Sequence, residues 1–172
     1  MAEGWVTFDQ NFEGLIFLLS KFSPGADQAL VHEIFYPGES VGEAIVAIDF
    51  DGLDDLSFPE NDAIGYLNRE KIHVVSEFLH RIDKGQLLEL YNPEELNGND
   101  VYPSVWHSNE SPDQAFNRRH IEEGFDELLQ LFDEAVENKS FILVFVNSAC
   151  LGILIQSRNF QTLACSCLPA EP

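Results

Sequence analysis

Residues 111–146 read SPDQAFNRRHIEEGFDELLQLFDEAVENKSFILVFV, and the apolar period changes partway along. Up to Asn138, the residues Ile121, Phe125, Leu128, Leu129, Phe132, Ala135 and Val136 mark one face at helical spacing. Ser111 stands as an N-cap and Gln114 completes a Ser-x-x-Gln capping box. Pro112 suits the first helical position, where an N–H would go unpaired anyway. A long helix beginning at Ser111 is expected. Residues 141–146 then lose the polar face and are rich in aromatic and β-branched side chains, the composition of a buried strand. Residues 151–155 are a second such run, expected to pair with the first across Asn147-Ser148.

Toward the N terminus the same two patterns alternate. Residues 5–8 alternate as a short strand, and Phe12, Leu15, Ile16, Leu19 and Phe22 form one helical face. Ser23-Pro24 stops that helix, and residues 26–35 carry the next one to Tyr36-Pro37-Gly38. Residues 44–50 (AIVAIDF) read as a buried strand leading into an acidic loop over 51–62. Residues 63–67 read as a strand, with Asn68 capping a helix marked by Ile72, Val75, Leu79 and Ile82. Gly85 interrupts it before Leu87, Leu88 and Tyr91 continue to Asn92-Pro93. Residues 93–96 form one helical turn, 101–106 an extended segment containing Pro103, and 160–165 a candidate last strand. The expectation is a single α+β domain over residues 1–172. A small mixed or antiparallel sheet would pack against several helices, one of them long and in the C-terminal half.

Composition narrows the function. A hydrophobic share of 45%, with 14 Phe, supports a packed core. Thirty acids face nine bases, for a formal net charge of -21, and residues 1–66 carry thirteen acids against Lys21 alone. Such a field repels nucleic acid and anionic membrane surfaces, and it speeds encounter with basic proteins. The bland alternative is that the acids only keep the chain soluble. Cys150, Cys165 and Cys167 are an odd, late set, which fits reduced thiols in the cytoplasm better than a disulfide scaffold. The start lacks a basic, apolar leader, and no stretch reaches the roughly 20 apolar residues of a membrane helix. A cytoplasmic location is expected.

One order of segments resembles a known family. It runs through Ala63-Ile64-Gly65-Tyr66-Leu67, Phe78-Leu79-His80-Arg81-Ile82-Asp83 and Tyr91-Asn92-Pro93-Glu94-Glu95-Leu96. It is strongest at Asp100-Val101-Tyr102-Pro103-Ser104-Val105-Trp106, and ends with the helix holding Leu128 and Phe132 and the strand after it. This is similar to the YfbM-like family, small bacterial α+β proteins classed as a domain of unknown function. The resemblance covers residues 63–147, with the first 62 matching weakly. It implies a fold and no catalytic residues. The occurrence of such proteins in toxin–immunity settings implies an immunity role.

Several chemistries compete with binding. Residues 45–52 (IVAIDFDG) resemble the first motif of haloacid-dehalogenase-like phosphotransferases, which makes Asp49 a candidate nucleophile and Asp51 an acid/base beside Mg²⁺. Leu53 departs from that pattern. Asp49, Asp51 and Glu60 fall at positions 1, 3 and 12 of a calcium loop, but Gly52 comes too early and Pro59 opposes the exiting helix. His32, His73, His80, His107 and His120 form no ligand pattern, since His73 and His80 are two helical turns apart. A pair of Cys165 and Cys167 as metal ligands, and of Cys150 with His107 as a catalytic couple, are weaker still. Arg118-Arg119 reads as a solvated face beside acids.

The favoured reading is a non-catalytic, immunity-type inhibitor of a basic toxin or effector, with no metal and no cofactor. Its partner-binding residues would be Glu39, Glu43, Asp51, Asp54, Asp55, Glu60 and Asp62, together with Tyr102 and Trp106. The two aromatics have a second reading, in which they close the core between helices. The alternatives are a metal-dependent phosphotransferase or other small-molecule enzyme using Asp49 and Asp51, and a housekeeping protein of unknown function.

Overall fold

A computed structural model describes residues 5–8, 12–23, 25–41, 64–111, 113–147 and 150–156. In chain order these form β1 (Trp5–Phe8), α1 (Phe12–Phe22), α2 (Asp27–Phe35), β2 (Ser40–Val41), β3 (Ile64–Leu67) and α3 (Arg69–His80). Then come α4 (Lys84–Glu89), α5 (Pro93–Gly98), α6 (Arg118–Glu137), β4 (Phe141–Asn147) and β5 (Cys150–Gln156). The strands join into one sheet of order β1-β5-β4-β3-β2, and every described pairing is antiparallel. The hairpin of β4 and β5 is its centre, in register from Phe141 opposite Gln156 to Asn147 opposite Cys150. Gly65 of β3 admits Pro37, since a Cβ there would lie 2.7 Å from the proline Cδ.

Helix α6 is the spine of the helical layer, touching α1, α3, α4 and β1. Ile121, Phe125, Leu128, Phe132 and Ala135 are buried as their spacing predicts, joined by Leu131, while Leu129 and Val136 are half-buried. They meet Leu15, Leu18 and Leu19 of α1, Ile72, Val75, Phe78 and Leu79 of α3, and Ile142 and Val144 of β4 in one core. The caps follow from sequence as well. Asn68 accepts from the Lys71 N–H at 3.0 Å, and Asn92 accepts from those of Glu94 and Glu95.

Several local expectations give way to longer-range bonds. Helix α6 begins at Arg118, with Asn117 as N-cap, and not at Ser111. The Ser111 carbonyl accepts from the Gln114 N–H in a single turn, and Pro112 lies outside the described residues. The competing order comes from Asn117, which is fully buried and donates to the Asn109 and Gln114 carbonyls. Phe116, at φ 53°, cannot continue a helix. The break near Gly85 falls at residues 81–83, where Asp83 caps α4 and leaves Gly85 inside that helix. Residues 101–106 form a turn, not an extended segment. Tyr102-Pro103 is a cis peptide, Asp100 and Ser104 have φ of 53° and 60°, and the Ser104 N–H donates to the Val101 carbonyl at 2.8 Å. The expected strands at 44–50 and 160–165 and the loop at 51–62 lie outside the described residues.

That turn sends Trp106 inward, to 3% exposure. Its backbone N–H donates to Asn97 Oδ1 at 2.8 Å, its carbonyl accepts from Asn97 Nδ2 at 3.0 Å, and its indole N–H donates to the Val101 carbonyl at 2.9 Å. Tyr91 and Phe116 meet the indole edge to face, with centroids at 6.4 and 6.1 Å. On the other side, Gly14 of α1 leaves the space: a Cβ there would lie 2.2 Å from the indole Cη2 and 2.9 Å from Ile121 Cδ1.

Two outcomes test this arrangement. Gly14→Ala should destabilise the protein by about 1–3 kcal/mol, because overpacking outweighs the gain of about 1 kcal/mol in helix propensity. Urea unfolding that shows the variant to be more stable would contradict the packing. Second, partial burial pushes the Tyr91 phenol up from 10.0 to about 12, with the charge of Glu110 adding to the shift. The unfolded chain therefore loses this proton first, so stability should fall as pH rises from 10.0 to about 12. Lys71 and Lys84, raised by hydrogen bonds to Glu33 and Asp126, add a fall of the same sign at the upper end. Tyr91→Phe should flatten the alkaline slope while costing about 1 kcal/mol at neutral pH through loss of the bond to the His107 carbonyl. An unchanged slope in denaturation midpoints across this range would refute the assignment.

Candidate partner-binding surface

Because the Val101–Trp106 turn is anchored from inside by Val101 and Trp106, the side chains of Tyr102 and Val105 face out. Tyr102 is 45% exposed and Val105 48%. The Tyr102 N–H donates to Glu13 Oε2 at 3.1 Å, which ties the loop to the first turn of α1. Tyr36, the C-cap of α2, is 43% exposed. Its phenol is raised first by partial burial and second by the negative charge of Glu13. Glu13 and the loop thus meet at the start of α1.

The cations are largely engaged within the fold. Lys21 pairs with Glu95, Lys71 with Glu33 and, at 3.4 Å, with Glu39. Arg81 pairs with Asp27 at 3.4 Å, and Lys84 with Glu122 and Asp126 at 3.4 and 2.9 Å. Arg118 binds Glu110 with two nitrogens, at 2.7 and 3.0 Å, and that hydrogen bonding holds the Glu110 carboxyl below its usual range. Arg119 reaches Glu123 one turn on, at 2.9 Å. The expectation that Arg118-Arg119 faces nearby acids holds, on side chains that are half-buried. An open groove of about 490 Å³ lies between α2 and α3, with Glu33, Glu39 and Lys71 on its walls beside Leu30, Val74 and Val75.

Of the residues expected to bind a partner, Tyr102 is displayed, and Glu39 is exposed while paired with Lys71. Glu43, Asp51, Asp54, Asp55, Glu60 and Asp62 lie outside the described residues, as do Asp49 and the motif around it. Trp106 is corrected: it is buried as a core aromatic and offers a partner no surface. Glu13, Tyr36 and Val105 were not picked out from the sequence. Tyr102 and Glu13 lie 89 positions apart, so no local pattern links them.

Catalytic geometry is limited. Ser76 Oγ donates to Asp133 Oδ1 at 3.2 Å, and His80 Nε2 sits 2.8 Å from the same oxygen. The acid thus stands between the other two groups, where a nucleophilic triad needs the histidine in the middle. His120 Nδ1 is 3.0 Å from Asn117 Oδ1, at the cap of α6. Among the described residues no three His, Cys, Asp or Glu side chains gather as metal ligands. No described helix is long and apolar enough to cross a membrane.

Comparison with known proteins agrees with the fold. The crystal structure of YfbM from Escherichia coli, a protein of unknown function, superposes with a TM-score of 0.52 at 15% identity, over 86% of this chain and 78% of that one. Likeness at that identity speaks to the fold alone. No curated protein matches. A family model described as Domain of unknown function (DUF1877) matches residues 2–145. It therefore takes in the first 62 residues too, which lie outside the resemblance over 63–147 and match it weakly. The chain belongs to this YfbM-like family, DUF1877.

Proposed function

We propose that this chain is a non-catalytic binding protein, an immunity-type inhibitor that captures a basic toxin or effector protein. The observation that carries the reading is the surplus of carboxylates: a net charge of -21 in a fold whose described cations mostly pair with its own acids. Such a surplus repels itself, and a cationic surface relieves that repulsion while accelerating encounter. Glu39, Glu43, Asp51, Asp54, Asp55, Glu60 and Asp62 supply the first, long-range attraction. Tyr102 and Val105 supply the apolar contact that holds the complex, on a loop fixed before binding. Enzymes acting on nucleic acid present Lys- and Arg-lined sites and suit such a trap.

The test is to purify the chain with the basic product of its neighbouring gene and measure affinity against salt. Raising ionic strength from about 0.01 M to about 1 M shrinks the Debye length from about 30 Å to about 3 Å, and binding should weaken steeply over that range. Co-expression should also restore growth to cells making the partner. Affinity indifferent to ionic strength would overturn the reading.

A further inference from the structure

Val74 stands on α3 beside the stripe of Ile72, Val75, Phe78 and Leu79 that enters the core, and it is left 45% exposed. A β-branched side chain on a solvated helix face is unfavourable twice over. It lowers helix propensity, and it keeps apolar surface in water. The fold leaves this residue beside an opening: Val74 lines the groove of about 490 Å³ between α2 and α3, together with the half-buried Leu30 of α2. Glu33, Glu39, Glu70 and Lys71 line the same groove, so three carboxylates face one ammonium. Lys71 Nζ pairs with Glu33 Oε1 and lies 3.4 Å from Glu39 Oε1. That leaves Oε2 of both acids, and the exposed Glu70, outside the ion pairs of the described residues.

We propose that the groove between α2 and α3 receives a segment of the captured basic protein in which an arginine stands beside an aliphatic residue. The inference rests on the capture reading above and names what one groove holds. An apolar floor with acid walls suits that pair of side chains. The arginine stem lies along Leu30 and Val74 while its guanidinium, weakly hydrated and forked, reaches the carboxylate oxygens that Lys71 leaves open. The aliphatic neighbour covers what remains of Val74. Charge decides against the other occupants. Residues 42–63 of this chain carry seven acids and no base, so they share the sign of the walls. A second copy, at a net charge of -21, meets the same repulsion. The walls are set before binding: the Glu39 carbonyl accepts from the Tyr66 N–H at 2.7 Å, and the Lys71 N–H donates to Asn68 Oδ1 at 3.0 Å.

The test titrates the intact chain with three end-blocked dipeptides, Leu-Arg, Gly-Arg and Leu-citrulline, following the methyl resonances of Leu30, Val74 and Val75 by NMR. Leu-Arg should shift them saturably. Gly-Arg, without the aliphatic side chain, should bind about three- to tenfold more weakly. Leu-citrulline, without the charge, should bind about two- to fivefold more weakly. Val74→Ser and Glu70→Gln alter exposed positions that the core does not need, and each should weaken Leu-Arg about two- to fivefold. Methyls that stay still, or that respond equally to Leu-citrulline, would sink the proposal. So would contacts between these methyls and residues 42–63 in the free chain, which would show the groove filled from within. The two readings can fail separately. Salt-sensitive capture of a basic protein that is unchanged in the Val74→Ser, Glu70→Gln double variant removes this site and leaves the function. Leu-Arg seated in the groove of a chain that captures no basic protein supports the site and removes the function.

Discussion

The indole of Trp106 occupies the volume that any side chain at position 14 would need, and that exclusion fixes how α1, α6 and the loop between α5 and α6 meet. Glycine inside a helix costs about 1 kcal/mol against alanine. Burying an indole of roughly 200 Å² returns about 5 kcal/mol at about 25 cal/mol per Å². The exchange favours the glycine. It also sets orientation, because Asn97 grips both backbone polar groups of Trp106 and the indole N–H has only the Val101 carbonyl to meet. With the tryptophan held at three points, its neighbours Tyr102 and Val105 have no room inside. The surface of the loop is thus a consequence of its interior.

Charge organises the outside by a different rule. Bases are scarce, and most of those described join elements distant in sequence: Lys21 with Glu95, Lys71 with Glu33, Arg81 with Asp27 and Lys84 with Asp126, at separations of 74, 38, 54 and 42 positions. Exposed pairs of this kind add little stability singly. Their placement matters more. Each draws an acid on one helix to a neighbour, so repulsion is relieved at the seams between helices. Elsewhere the carboxylates keep facing solvent, and the apolar core has to withstand the resulting self-repulsion.

Much of the fold was legible because its signals are regular. The faces of α1, α3 and α6 follow the helical period, and β4 and β5 announce themselves by the loss of any polar face. The failures share a cause. Ser111, Pro112 and Gln114 form a good local start signal, but Asn117 donates to two preceding carbonyls, those of Asn109 and Gln114, and caps α6 by accepting from the Arg119 N–H. The turn at 100–106 needs left-handed conformations at Asp100 and Ser104, which no glycine advertises. For the candidate site, Tyr102 and Trp106 were visible as a pair, yet which one faces inward depends on Gly14, far away in sequence. The link between Tyr102 and Glu13 is likewise a product of tertiary packing.

What remains available for function is decided by what the fold has already used. Asn68, Asp83, Asn92 and Asn117 are committed as helix caps, Asn97 to the loop, and Asp133 to Ser76 and His80. The described surface carries two features of different range: a diffuse negative field that acts over a Debye length, and phenol rings that act only on contact. A field without an anchor gives fast, weak, unselective encounters, and an anchor without a field waits on chance collision. The capture proposed above would draw on both, the field for encounter and the exposed Tyr102 ring for contact, and it asks of the fold that Trp106 stay buried.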